Sequence, residues 1–380
     1  MSGLPSERST VPAACGLLAV LLGTAAMIPS LRAEGWSATA LPRVDANTPM
    51  AQVARSVDPG FRLVHPGSYD GQFYWGIALD PVGTGSAHHA FDNPPYRYGH
   101  PLFGWLGWLA SAGQGSAAAA ALAALGLVSL LAAGAAASAL GIERGSSGAE
   151  GLFVALNPGL LYAAAHDLAE PLCAALLLGA LYAYVRGRRP ALLACLVLLP
   201  LSKEPLVLVA LALAAWELLR RRRLAEVVPL VATVLPAAGW WLYARLHFGA
   251  WFTTGDNALG LPVAGWARAL TDAGVHSFSP DPNVNMLGEV TIVVLVGLLG
   301  LLALAGLASL RLRGPVELVY LLLAAIAACL APIATTLLRD ALRNTALLVA
   351  LVPFVLASPP VLPRGRRDKG YSQALTPPPG

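Results

Sequence analysis

The sequence predicts an all-α polytopic membrane protein with about ten transmembrane helices and a long, structured first extracytoplasmic loop. Three observations carry that expectation. Of the 380 residues, 56% are hydrophobic and only 12% are charged, with a mean hydropathy of +0.63. Ordinary globular domains carry roughly twice that charge. Several apolar runs reach the roughly 20 residues that a bilayer-spanning helix needs. The basic residues gather in short clusters beside those runs, as in cytoplasmic loops that set orientation.

The same clustering excludes one function class. A pI near 9.0 is compatible with nucleic-acid binding, but the charge is parcelled out at helix ends instead of forming a basic face, so no nucleic acid is expected. Cys15, Cys173, Cys195 and Cys329 lie in apolar segments without metal-type spacing. They read as packing residues in the lipid phase, neither disulfides nor metal ligands.

Residues 1–10 are expected to be cytoplasmic, followed by a membrane domain over 11–357. The first run, Val11 to Leu31, reads as a retained anchor, because the chemistry near Arg32-Ala33-Glu34 makes a weak cleavage site. Residues 33–98 then form the first extracytoplasmic loop, rich in Pro, Gly and aromatics. A connection that long is functional or disordered, and its aromatic content argues for order. His100 to Leu109, with two Trp, is too short to span and reads as an interfacial or half-inserted helix.

The remaining spans follow when the basic clusters are placed inside. Ala117–Leu140 goes inward and Leu152–Ala165 returns to His166-Asp167 and Glu170-Pro171. Leu172–Val185 runs in to Arg186-Gly187-Arg188-Arg189, and Ala191–Leu201 comes out to Ser202-Lys203-Glu204-Pro205. Leu206–Leu219 runs in to Arg220–Arg223, and Val227–Leu246 comes out to a second long extracytoplasmic loop over 247–288. Val290–Leu310, Glu317–Thr335 and Ala341–Ala357 complete the set before a basic, Pro-rich cytoplasmic tail over 358–380. Within the second loop, Pro262 to Leu270 has amphipathic spacing and is expected to lie along the interface, over the site.

On this topology the remaining polar groups collect on one side. The stretch Tyr69-Asp70-Gly71-Gln72-Phe73-Tyr74-Trp75 stands out, because aromatic faces stack on sugar rings while an acid handles a hydroxyl proton. Asp70 is the candidate general base, with Asp80 as a second acid. Tyr69, Gln72 and Tyr74 are candidate substrate contacts. Asp-Gly is also a common turn dipeptide, which is the plain structural reading of the same residues.

Arg97, Lys203, Arg339 and Arg343 are candidate phosphate ligands, Arg through its planar fork and Lys as a point charge. The plain alternative for each is snorkelling to the headgroups. Glu204 is the built-in partner of Lys203. Glu170 either orients substrate or caps the helix that follows it. His88, His89 and His100 invite a metal reading with Asp92, but their spacing matches no compact ligand set, so no metal and no other cofactor is expected. A divalent cation remains compatible with the acids.

Taken together, these residues resemble the GT-C superfamily of multispanning glycosyltransferases, and within it PIG-V-like mannosyltransferases and bacterial cell-surface glycopolymer enzymes. The resemblance is carried by Tyr69 to Tyr74, by Pro95-Tyr96-Arg97-Tyr98 leading to Pro101-Leu102-Phe103, by Asn157-Pro158 with Glu170-Pro171-Leu172, and by Ser202-Lys203-Glu204. Two features depart from it. Leu168-Ala169 stand where an aromatic and a small hydroxyl residue are usual, and the first loop has no adjacent pair of acids.

The resemblance implies an inverting transfer of a mannose-like sugar from a polyprenyl-phosphate donor to a glycan or glycolipid acceptor. The reaction would take place at the extracytoplasmic face of the cell membrane, among membrane lipids. Asp70 would be the base, and Lys203 and the outer arginines would lie near the lipid phosphate. Two other functions share the same sequence features: a transporter or flippase for a lipid-linked precursor, and a non-catalytic subunit of an envelope assembly.

Overall fold

The computed structural model describes residues 5–65, 67–222, 224–255 and 258–357, and their regular elements are helices joined by 3-10 turns and two isolated β-bridges. Chain order begins with α1 (Pro5–Ala33), α2 (Pro49–Val57), α3 (Gly71–Leu79), α4 (Pro94–Arg97), α5 (Leu102–Ala110) and α6 (Gly115–Glu143). Next come α7 (Leu152–Ala155), α8 (Pro158–Ala164), α9 (Glu170–Arg186), α10 (Arg189–Ser202), α11 (Val207–Arg221) and α12 (Leu224–Ala232). The last six are α13 (Leu235–Phe248), α14 (Ala264–Ser277), α15 (Pro282–Ser309), α16 (Pro315–Ala328), α17 (Pro332–Thr335) and α18 (Leu338–Leu356).

Four stretches are long and apolar enough to cross a bilayer: residues 10–33 of α1, all of α6, the α12–α13 pair over 224–248, and α15. The chain has the make-up of a multi-pass membrane protein. About ten membrane-spanning helices were expected, and among the described residues four have the length and composition to span on their own. Proline and charge are the reason. Asn157-Pro158 splits the run over 152–165 into α7 and α8, and the break expected over 202–205 falls between α10 and α11, leaving both short. Helices α10 and α16 have 14 residues each, about 21 Å of rise against a hydrocarbon core of about 30 Å. Helix α18 has 19 residues but carries Arg339, Asp340 and Arg343 in its first two turns.

Helix α1 is built into the fold. Gly16 sits where an added Cβ would lie 2.6 Å from the Leu131 carbonyl oxygen, and Gly134 meets the Cys15 backbone at 3.0 Å, so small residues let α1 and α6 cross closely. Helix α6 packs in turn on α9, and this layer holds the fully buried Leu122, Leu130 and Leu140. The β-bridge between Asp45 and Val64 ties the first loop to itself.

The first loop is ordered, and its aromatic stretch is helical where a loop was expected. Helix α3 follows Asp70 and buries Phe73, Tyr74, Trp75 and Ile77. Trp75 is fully buried and packs on Phe61, with ring centroids 4.7 Å apart. Helix α5, nine residues long, rises only about 13 Å and does not span. It packs through Gly104 on Ile77 and through Gly107 on Leu122.

The second loop contains α14, whose Trp266 is buried and donates from Nε1 to the Ala327 carbonyl at 2.8 Å. The segment before it pairs with the end of α16. Gly260 N–H donates to Cys329 O at 2.7 Å, Val263 N–H to Ala328 O at 2.6 Å, and Ala331 N–H to Ala258 O at 2.8 Å.

The two ends of the bundle differ. Glu170 opens α9 and Lys203 follows α10, so both lie at one end of that antiparallel pair, with the turn over 186–189 at the other. At that other end Arg186 pairs with Glu143 at 2.8 Å, and Arg144 lies 3.6 Å from Glu317 and donates to Phe354 O at 3.1 Å. Of the basic clusters that oriented the chain, Arg223 and the tail over 364–369 lie outside the described residues.

Candidate functional site

At the Glu170–Lys203 end, a cavity of about 450 Å³ opens between the first loop, the α10–α11 turn and α16 to α18. Three helices present one face each to it. From α3 and its preceding residue come Asp70, Phe73, Tyr74 and Ile77; from α18, Asp340, Arg343, Asn344, Leu347 and Leu348; from α16 and the residues after it, Leu323, Ile326, Ala327 and Leu330. Each set follows the spacing of three and four residues that puts side chains on one helical stripe. Along α18 the stripe changes from charged to apolar over eight residues, about 12 Å of rise.

Asp70 is the hub of the polar end. Arg97 donates from Nη1 to its Oδ1 at 3.0 Å, and Arg343 from Nη1 to its Oδ2 at 2.7 Å. Burial alone would raise the Asp70 pKa, but the Arg343 and Arg97 guanidiniums outweigh it and hold the carboxyl well below the usual range. Arg97 is held from two further directions. Its Nε and Nη2 grip Asp92 at 2.9 and 2.8 Å, and its guanidinium carbon lies 3.8 Å over the Phe73 ring.

Behind this hub sits a second set of ions. Lys203 Nζ donates to Glu170 Oε1 at 3.0 Å, and Arg343 Nε lies 3.5 Å from the same oxygen. Glu170 Oε2 and Arg343 Nε are buried without a hydrogen-bond partner among the described residues. Unmet polar atoms beside a cavity can be satisfied by a bound molecule or by water. Glu204 Oε1 pairs with His100 Nδ1 at 2.7 Å. Tyr69 donates a short hydrogen bond to Asp340 Oδ1, with Arg339 and Arg343 each 5.1 Å from its ring centre.

The structure therefore brings together Tyr69, Asp70, Tyr74, Arg97, Glu170, Lys203, Glu204 and Arg343, eight of the residues singled out from the sequence. Arg339 stands just outside, half exposed over Tyr69. Gln72 is buried away from the cavity on the opposite side of α3. Asp80 is also elsewhere. It accepts from the Thr84 and Gly85 N–H groups at 2.9 and 2.8 Å and pairs with His88 at 2.9 Å, so its carboxylate closes a loop at the end of α3. Burial, which would raise its pKa, is outweighed by the Gly85 N–H and His88, and the carboxyl lies below its usual range.

Sequence reasoning gave no substrate role to Asp92, His100, Asp340 or Asn344, all of which line the cavity. A signal for Asp340 and Asn344 was present, since with Arg343 and Leu347 they form one helical stripe. Three cations (Arg97, Lys203, Arg343) face five carboxylates (Asp70, Asp92, Glu170, Glu204, Asp340) in the lining. An anion entering here meets cations that are already paired with acids. Among the described residues no three His, Cys, Asp or Glu side chains converge as metal ligands would.

Chemically, the cavity offers hydrogen-bonding cations, aromatic faces and proton acceptors at one end and an apolar slot at the other. Comparisons of the chain with family models, with curated proteins and with solved structures returned no match.

Proposed function

We propose that this chain is an integral membrane glycosyltransferase of GT-C type. It would move a mannose-like sugar from a polyprenyl-phosphate donor to a glycan or glycolipid acceptor at the extracytoplasmic face of the cell membrane. The observation that carries the reading is the α18 stripe, which turns from Asp340, Arg343 and Asn344 to Leu347 and Leu348 beside the apolar stripe of α16. A phosphate-headed lipid has that same change of polarity along its length. Tyr69, Tyr74 and Tyr96 supply the aromatic faces a sugar ring needs.

Ten membrane passes belong to the same proposal, with the short helices crossing in pairs or locally thinned lipid. The opposite, basic end would then face the cytoplasm. Arg343 is the first phosphate ligand, because its Nε–H is not yet used. Donor binding draws Arg343 and Arg97 toward the phosphate, where negative charge grows as the bond to the sugar breaks. Asp70 holds the two guanidiniums in register until then, and cannot take a proton while both hold it.

The test is transfer from radiolabelled polyprenyl-phosphate mannose, glucose and arabinose by purified protein in liposomes, with a cell-envelope acceptor extract. Wild type is compared with Asp70→Asn for transfer and, separately, for donor binding. Transfer by wild type that Asp70→Asn abolishes supports the reading. If binding persists in that variant Asp70 acts on the proton, and if binding falls with transfer it acts on the arginines. Bound donor that is never consumed sinks the enzyme reading, and labelled lipid crossing the bilayer would make the protein a flippase.

A further inference from the structure

An inverting displacement needs its nucleophile opposite the leaving group. Asp70 is hydrogen-bonded directly to both arginines that would take the leaving phosphate, which puts it on the leaving-group side. The cavity has another proton acceptor. His100 and Glu204 both line it, joined by a 2.7 Å hydrogen bond between Nδ1 and Oε1. Neither shares a hydrogen bond or ion pair with Asp70, Arg97 or Arg343 among the described residues. From these positions we propose that the His100–Glu204 pair is the general base of the transfer, with His100 Nε2 taking the proton of the acceptor hydroxyl. This rests on the glycosyltransferase reading above.

The pair is built to hold its geometry. Trp240 and Trp241 donate from their indole N–H groups to the Tyr98 and Gly99 carbonyls at 2.6 and 2.9 Å, which fixes the backbone leading into His100. Glu204 Oε1 leans over Gly99 so closely that a Cβ there would collide with it. The rings of Tyr74 and Tyr96 flank the imidazole at 5.7 and 5.4 Å. Among the described residues, the titratable groups in contact with it are Glu204, Tyr74 and Tyr96. With Glu204 accepting from Nδ1–H, Nε2 carries the lone pair, and among the described residues it has no partner.

In the step, the acceptor O–H bond breaks and its proton passes to Nε2. The freed oxygen pair forms the new bond to the anomeric carbon. The bond from that carbon to the phosphate oxygen breaks, and its electron pair leaves on the polyprenyl phosphate. The imidazolium that forms is balanced by the Glu204 carboxylate.

The experiment measures donor binding and transfer by the full-length protein in nanodiscs, using the polyprenyl-phosphate sugar that wild type consumes. His100→Gln is expected to lower kcat by about 100-fold or more while donor Kd stays within about twofold, and added imidazole is expected to restore part of the rate. Glu204→Gln should lose about tenfold in kcat and move the acid limb of the pH–rate profile to lower pH, since the imidazolium loses its counter-ion. Transfer unchanged in His100→Gln overturns the proposal and leaves the glycosyltransferase reading standing. Wild type that binds every donor and transfers none overturns both. If His100→Gln fails to fold, the pH profile of Glu204→Gln decides alone, and an unmoved acid limb overturns the pair.

Discussion

Arg97 lies over the ring of Phe73, its guanidinium carbon 3.8 Å from the ring centre, while its other edge grips Asp92 and Asp70. The aromatic stretch of the first loop thus seats a cation as well as offering a face to a sugar. Phe73→Leu removes that seat without opening a large void. It should weaken donor binding about two- to fivefold, the worth of a cation–π contact of about 0.5–1 kcal/mol. Arg97→Lys should cost more, because an ammonium cannot keep the two-pronged bond to Asp92. Titration with farnesyl-phosphoryl-mannose gives both numbers, and an unchanged affinity in Arg97→Lys would remove Arg97 from the phosphate site.

Acid should loosen the fold through Asp70. Its carboxyl is held below the ordinary value of 3.8 by Arg343 and Arg97, so the folded state prefers the charged form. The resulting stability is present above the ordinary value and is lost as pH falls below it. Asp70→Asn should be less stable at pH 7 by about 1–3 kcal/mol, a buried-pair loss reduced because the carboxylate is one-third exposed. Its melting temperature should then fall less steeply than that of wild type between pH 5 and pH 3. Parallel curves for the two proteins would contradict the linkage.

Two glycines test the packing in opposite directions. A Cβ on Gly71 would collide with the His166 carbonyl and lie 3.1 Å from the Pro42 backbone, neither of which can swing away. Gly71→Ala should destabilise by about 2 kcal/mol or more and displace Asp70 beside it. Gly126, inside α6, has only the Ala164 Cα at 3.9 Å. Gly126→Ala should be neutral or stabilise by up to about 1 kcal/mol. Thermal unfolding in detergent separates the two.

Asp80→Asn should divide stability from chemistry. The substitution leaves the Thr84 and Gly85 N–H groups with a weaker acceptor and unpairs His88, at a cost of about 1–2 kcal/mol. Donor affinity should stay within about twofold, because Asp80 does not line the cavity. A selective loss of donor binding with unchanged melting would return Asp80 to the site.

Much of the site was legible because polar groups in a greasy chain have few places to go. Lys203, Glu204, Glu170 and Arg343 meet at one end for that reason, although they come from three separate parts of the sequence. The misplacements have a geometrical cause. In a loop, as the sequence predicts for residues 71–79, neighbours are equivalent, but in a helix only every third or fourth residue shares a face. That spacing keeps Asp70, Phe73, Tyr74 and Ile77 on the cavity and turns Gln72 away. Asp340 gives no signal by itself, because next to Arg339 it reads as a local ion pair. The number of expected spans exceeds the number of long helices because hydropathy does not register where Pro158 interrupts the ladder inside an apolar run.

The bond from Arg343 to Asp70 links residues 273 positions apart, and this sets a timetable for assembly. During synthesis Asp70 and Arg97 emerge early and can pair within the first loop, whereas Arg343 arrives only when α18 is made. Until then Glu170 and Lys203 have only each other, and the apolar slot lacks one wall. A chain ending before α18 would therefore carry all four long apolar helices and still lack a closed pocket.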